Sequence, residues 1–133
     1  MSVIATDTPY FSNLVKAELM PEVSFCRGVV VVNDTAATLK VGTVLGKVTA
    51  TGKYKVAVQT ASDGSNVPDA IVIRETIVPG STDTNVVVLL NGPAAVSKSA
   101  LILDATYNTD AELAAVYTAL WAKQIKALTT VVL

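Results

Sequence analysis

The sequence predicts a mainly β fold: a compact small β-barrel or sandwich-like domain with one C-terminal α-helix and an extended N-terminal arm. Two observations predict the β part. Short apolar runs alternate with turn signals from residue 25 onward, and aromatic residues make up only 5% of a chain rich in Val, Ala and Thr. A third observation predicts the helix, because a capping signal and helically spaced apolar residues occur together near the C-terminus.

At 133 residues the chain fits one domain. We predict an arm over residues 1–21 and a single β-rich domain over residues 22–133. The arm mixes apolar side chains with Pro9 and several polar residues, so it cannot easily form a core of its own. Apolar residues between positions 11 and 20 fall near one helical face, which is compatible with a short helix there.

The first strands of the domain are predicted between residues 25 and 60. Residues 27–33 form an apolar run that ends at a turn signal. Residues 43–49 and 53–59 flank a short turn at Thr51 and Gly52, which predicts a hairpin. In its second arm Tyr54 and Val56 share one face and lysines the other, so this strand is expected to be half solvated.

Further strands are predicted up to residue 103. Residues 71–78 precede Pro79 and Gly80, and residues 86–90 are apolar throughout, which indicates a strand buried on both faces. Residues 100–103 are compatible with another short strand.

The C-terminal region is predicted to be helical. Thr109 and Glu112 match a capping box, in which each side chain satisfies a free backbone N–H of the other. Helical spacing continues to about residue 127, so we predict a helix over residues 110–127 and a terminal strand over residues 129–133. The helix is expected to bury one face made of Leu113, Val116, Tyr117, Leu120 and Trp121.

The composition predicts contacts with other chains. Hydrophobic residues make up 51% of the sequence and charged residues 16%, whereas a soluble domain usually has about 25% charged residues. A small domain has a large surface for its volume and cannot easily hide that much apolar side chain alone. We therefore expect apolar strand surface to be buried against other chains.

Charge and hydropathy argue against nucleic acid and membrane partners. The formal net charge is −1, whereas nucleic-acid binders usually have a basic excess. Four lysines between residues 35 and 62 are explained by a solvated strand face. No apolar run approaches the ~18 residues of a membrane span, and no signal peptide is expected.

The sequence also argues against catalysis, and we predict no enzymatic activity, no cofactor and no bound metal. It has no histidine, and its only cysteine is Cys26, expected to be a buried small hydrophobe. Asp63, Asp69 and Asp83 are scattered over predicted turns and do not follow the spacing of a calcium loop. Residues 41–48 contain two glycines and a lysine, but Val48 stands where a phosphate-binding loop needs Ser or Thr.

Several short motifs follow one another in the middle of the chain. Val-Gly-Thr-Val-Leu-Gly at residues 41–46 precedes Thr-Gly-Lys-Tyr at 51–54, Asp-Gly at 63–64 and Ala-Ile at 70–71. Residues 86–90 then lead to Asn-Gly at 91–92. In order and spacing this stretch resembles the head-decoration family of lambda-like tailed bacteriophages, over residues 27–95.

The resemblance implies a structural role in the virion. It implies a β-rich domain of which three copies form a knob at threefold or quasi-threefold sites on the outer surface of the expanded head. There it would bind the major capsid protein and stabilise the shell against DNA pressure. Synthesis in the cytoplasm of the bacterial host is implied as well, and no catalytic residue is carried over.

The arm is the expected docking element. Val3, Ile4, Tyr10 and Phe11 are its candidate capsid contacts, because they could anchor a segment that adds a strand to an exposed sheet edge. The alternative is that the arm packs on its own domain. For the whole protein, the alternatives are a trimeric phage tail or fibre structural protein, and a β-barrel module that binds a small molecule or belongs to an enzyme.

Overall fold

The computed structural model of the chain describes residues 15–18, 26–35, 37–80 and 82–128. Its strands are β1 (Val15–Glu18), β2 (Arg27–Val32), β3 (Ala37–Leu39), β4 (Val44–Lys47), β5 (Tyr54–Val56), β6 (Pro68–Val72), β7 (Thr76–Val78), β8 (Thr84–Leu89), β9 (Ala94–Ser97) and β10 (Ile125–Leu128). A 3-10 turn, Lys98–Ala100, follows β9, and the helix α1 spans Asp110–Ala122. The predicted mainly β class with a C-terminal helix is confirmed.

Five strands close into a barrel in the order β2-β5-β4-β6-β8, with β8 pairing again with β2. The pairing is antiparallel except between β2 and β5. Closure removes the free edges that an open sheet of these strands would present to other chains. The predicted hairpin is confirmed as β4 and β5, whose turn is closed by the N–H of Gly52 donating to the carbonyl of Val48 at 2.8 Å.

The interior of the barrel is filled by branched aliphatic side chains. Because successive side chains of a strand point to opposite faces, alternate residues of each strand enter it. The buried members of this interior cluster are Val30, Val32, Leu39, Leu45, Tyr54, Ala70, Val72, Val78, Val86 and Val88.

A second core lies on the outside of the barrel. Val44, Ile71 and Leu89 alternate with the interior residues of β4, β6 and β8, and they are buried as well. These three strands are therefore covered on both faces, as the sequence predicts for residues 86–90. The layer that covers them consists of α1 and the three-stranded sheet β1-β9-β10.

The covering layer includes part of the predicted arm. Residues 15–18 form β1, which pairs antiparallel with β9, whereas β10 pairs parallel with the other edge of β9. A helix is therefore wrong for these residues. Val15 is buried in the second core, so the end of the segment predicted as an arm belongs to the domain.

The strand predicted at residues 71–78 is divided in two. It consists of β6 and β7, and the exposed Arg74 and Glu75 lie between them. β7 leaves the barrel sheet and pairs with β3 as a two-stranded ribbon, which extends the barrel interior with Leu39 and Val78. Residues 100–103 form no named strand, although Ile102 makes an isolated bridge to Thr43.

The helix is shorter than predicted. It ends at Ala122 rather than at residue 127, because Gln124 adopts a φ of 63° and the chain continues as β10. A left-handed residue after a helix is usually glycine, which explains why the sequence does not signal this end. The strand predicted at residues 129–133 lies outside the described residues. No helix of the described part is long and apolar enough to cross a membrane.

The prediction that Trp121 is buried is wrong for the single chain. Val116 and Leu120 are fully buried against the second core, whereas Trp121 is 60% exposed. Adjacent helical residues point about 100° apart. The face centred on Leu120 therefore carries Trp121 to the rim of the buried surface.

Leu120 and Trp121 should differ in their effect on stability, in the reverse order of their size. Leu120→Ala removes fully buried atoms and leaves a cavity, so it should lower the free energy of unfolding by ~2–5 kcal/mol. Trp121→Ala removes a mostly exposed ring and should cost less than ~1.5 kcal/mol. Urea denaturation of the dilute protein measures both values. A larger loss for Trp121→Ala than for Leu120→Ala would contradict this burial pattern.

Candidate interaction surfaces

The described residues contain no cluster of side chains suited to metal binding. No group of three or more His, Cys, Asp or Glu residues in that part of the chain is placed to hold a metal ion. Cys26 is buried and its thiol donates to the carbonyl of Pro93 at 3.6 Å. Gly46 lets two backbone segments pack closely, because a Cβ there would collide with the backbone of Ser65. The candidate functional features of the described residues are therefore exposed surfaces.

The arm residues predicted to contact the capsid, Val3, Ile4, Tyr10 and Phe11, lie outside the described residues. The described part does fix where that segment joins the domain. β1 is an edge strand of the sheet β1-β9-β10 and begins at Val15.

One flank of α1 carries an aromatic surface with two cations. Tyr117 and Trp121 lie one turn apart and, with Lys98 and Lys126, line a groove of about 470 Å³. These four residues are called the Trp121 surface. The Lys98 ammonium lies 4.4 Å from the centre of the Tyr117 ring, a cation–π contact.

The cations of the Trp121 surface have no acidic partner in the described part of the chain. The ion pairs there join Lys53 to Asp83, Lys55 to Asp63 and Lys123 to Asp69. Neither Lys98 nor Lys126 takes part in one. The Trp121 surface thus combines an exposed aromatic pair with two positive charges that the described residues leave unneutralised.

The other flank of α1 borders an apolar groove of about 400 Å³. One wall is formed by Ala111, Ala115 and Ala119, which are small and leave the helix backbone close to the surface. The opposite wall comes from the loop before β6, where Val67 is 53% exposed. Tyr107 also lines this cavity, which is called the Ala115 groove, and its hydroxyl donates to the carbonyl of Asn66 at 2.8 Å.

The carboxylate of Glu112 lies at one end of the Ala115 groove. Glu112 lines it and accepts from the backbone N–H groups of Asn108 and Thr109, both at 3.1 Å, while its own N–H donates to the Thr109 hydroxyl at 3.2 Å. The bond from Asn108 is the main reason that the pKa of the Glu112 carboxyl lies below its usual range. The predicted capping box is confirmed. The exposed Asp110 stands two residues earlier.

A polar link holds the C-terminal end of α1 to the barrel. Lys123, which caps that end, pairs with Asp69 of β6 at 3.1 Å, and the hydroxyl of Tyr54 donates to the same carboxylate at 2.9 Å. Burial, with the Asp69 hydrogen bond, raises the pKa of Tyr54 to about 12. The two flanks of the helix are therefore presented on a fixed element.

Other exposed apolar side chains are isolated. Val29 on β2 is 62% exposed and Ile77 on β7 is 73% exposed. Neither lines one of the grooves described above. Single exposed apolar residues are common on protein surfaces and need no partner.

Neither surface is predicted from the sequence. Helical spacing places Tyr117 and Trp121 in the core, and the sequence pattern that predicts the helix singles out neither the alanines nor Val67. The spacing of four between Ala111, Ala115 and Ala119 was the available signal, because it puts all three on one helical flank.

Comparison with known proteins gives one informative result. The family model described as bacteriophage lambda head decoration protein D matches residues 5–125. The match extends from the segment before β1 to the first residue of β10, so it includes the barrel, α1, and β1 and β9 of the covering layer. No curated protein matches the chain.

The capping box predicts a pH-dependent contribution from Glu112. Its pKa is lowered in the folded state, so the stabilisation is fully present above the unfolded value near 4.5 and is lost as the pH falls through the folded pKa. The stability difference between the wild type and Glu112→Ala should therefore be constant near neutral pH and shrink in acid. Asp110→Ala is the control, since Asp110 donates or accepts none of the capping bonds. Urea denaturation from pH 7 to pH 3 measures this, and a difference independent of pH would contradict the role of Glu112.

Proposed function

The chain belongs to the bacteriophage lambda head decoration protein D family, and from that premise we propose that it binds the outer surface of the expanded head as trimers at threefold or quasi-threefold sites. It decorates the phage capsid, and its partners there are the major capsid protein and two further copies of itself. The observation that carries the proposal is the match over residues 5–125, which includes nearly all of the described fold.

The described surface supports a role based on contacts rather than chemistry. The described residues leave Trp121 and Val67 exposed beside the two flanks of α1, whereas most of the large aliphatic side chains there are packed into two cores. Exposed apolar surface flanked by polar groups is typical of interaction sites. We propose that the protein has no enzymatic activity and needs no cofactor.

The mechanism follows from where a shell is weakest. Internal DNA pressure acts to separate neighbouring capsid subunits, and a trimer that touches several of them adds buried interface at each junction. Three linked copies bind multivalently, so modest individual contacts give tight attachment. A closed barrel with three strands covered on both faces suits this task, because such a packed structure resists deformation under load.

The alternatives from the sequence have less support. The matched family is a head protein, which favours the capsid over a tail or fibre. A small-molecule site would need convergent polar groups in a concave pocket. The two grooves beside α1 are instead walled mainly by alanine, valine and aromatic side chains.

The proposal predicts that the protein strengthens filled heads. DNA-filled heads that lack it should release their DNA at a lower temperature than the same heads after the purified protein is added. The effect should saturate when three copies occupy each threefold site. Release of DNA at the same temperature with and without saturating protein would contradict the stabilising role.

The arm is proposed to make the capsid contact, through Val3, Ile4, Tyr10 and Phe11. Because β1 begins at Val15, a deletion of residues 2–13 removes these anchors and keeps the strand. The deleted protein should keep its circular dichroism spectrum and unfolding midpoint, but lose most of its binding to expanded heads in a co-sedimentation assay.

Two substituted proteins sharpen this test. Replacing the four anchors by serine should weaken binding as much as the deletion, whereas Thr6→Ala, Thr8→Ala and Ser12→Ala together should leave binding unchanged. Undiminished binding after the deletion would show that the docking element lies within the domain. The arm would then pack on its own domain, which is the alternative that the sequence allows.

A further inference from the structure

We propose that three copies join head to tail, with the Trp121 surface of each copy seated in the Ala115 groove of the next. The inference rests on the trimer proposed above and names its contact. It commits to one occupant for each groove, a second copy of this chain.

The position of the two surfaces on α1 suits such a ring. Trp121 and Ala119 are two residues apart, as are Tyr117 and Ala115, and residues two apart on an α-helix point in directions about 160° apart. The two surfaces therefore lie on opposite flanks of one helix, whose remaining face is buried through Val116 and Leu120. An incoming copy can use one flank while the other flank receives a third copy.

Threefold symmetry requires two different patches. A twofold dimer pairs one patch with itself, whereas a cyclic trimer joins unlike patches head to tail. The two grooves beside α1 differ in the way such a contact needs. One presents a projecting indole ring and the other is walled by alanines that leave room for it.

The volume of the Ala115 groove is compatible with the size of the Trp121 side chain. The Ala115 groove has a volume of about 400 Å³, within the ~300–1,000 Å³ of pockets that enclose drug-sized molecules. An indole ring fits in that space and would lie against the exposed Val67 and the buried Tyr107, which line it. Large aromatic anchors in well-packed pockets dominate the energy of many interfaces.

The charges are complementary as well. The Trp121 surface carries Lys98 and Lys126, which form no ion pair within the described residues. Glu112 lines the end of the Ala115 groove that is nearest the start of α1. Head-to-tail contact brings the unpaired cations of one copy toward this carboxylate of the next, which fixes the register of the interface.

The test uses two variants, each of which disrupts one side of the contact, either the projecting ring or the groove. Trp121→Ala removes the projecting ring and leaves the groove intact. Ala115→Phe fills the groove and leaves the ring intact. Each variant alone should bind expanded heads with an affinity lower by about tenfold or more. An equimolar mixture should bind more tightly than either alone, because one of the three junctions of a mixed trimer joins the intact Trp121 of an Ala115→Phe copy to the intact groove of a Trp121→Ala copy.

Two matched controls accompany these variants. Trp121→Phe keeps an aromatic ring and should retain most of the affinity. Ala105→Phe makes the same change as Ala115→Phe at an exposed alanine outside both grooves, and it should bind as the wild type does. All variants should keep the wild-type circular dichroism spectrum, because the substituted side chains are largely exposed.

The outcomes separate this inference from the proposed function. Wild-type binding with no loss in either variant would overturn the contact and leave the function standing. A loss for Trp121→Ala that mixing does not rescue would mean that Trp121 touches the capsid protein or the arm, and would also overturn it.

A second measurement tests the contact even if the wild type binds no heads. A concentrated mixture of isotopically light and heavy protein is treated with a carbodiimide, which joins lysines to carboxylates in direct contact. The expected product is a mixed-isotope peptide pair that links Lys98 or Lys126 of one copy to Glu112 of another. Absence of that pair from both the free protein and decorated heads would overturn the inference.

Discussion

The fold depends on one constraint: three central strands of the barrel are apolar on both faces. Val44 and Leu45, Ile71 and Val72, and Val88 and Leu89 are adjacent pairs in β4, β6 and β8, and every one of these side chains is buried. A barrel can bury only its inward set. The outward set must be covered by other elements of the chain, and α1 with the sheet β1-β9-β10 does so. The second core therefore joins the elements from β1 to β10 into one domain.

The same constraint positions the surfaces that face other molecules. Because α1 is held against the barrel by Val116 and Leu120, and at its end by the pair of Lys123 with Asp69, its two flanks are presented on a rigid support. The Trp121 surface and the Ala115 groove are what the domain leaves uncovered beside that helix. A protein that stabilises a shell by contact needs such fixed surfaces and no catalytic centre.

Much of this fold can be predicted from local patterns in the sequence. The hairpin of β4 and β5 follows from alternating residues around Gly52, and the start of α1 follows from Thr109 and Glu112, because turns and caps are set by neighbours in sequence. The division of residues 71–78 into β6 and β7 depends on which distant strand each half pairs with. The exposure of Trp121 depends on where the edge of the covering layer falls, which helical periodicity cannot tell. The resemblance seen over residues 27–95 came from barrel motifs, whereas the family match extends over residues 5–125 and adds β1, α1 and the rest of β9 from the covering layer.

The most direct test of the account is an electron cryomicroscopy map of expanded heads decorated with this protein. The account predicts three copies around each threefold and quasi-threefold position on the outer surface, with the barrels outward and the segment before β1 running onto the capsid lattice. Single copies, twofold pairs, density on the inner surface, or binding to the tail alone would contradict it.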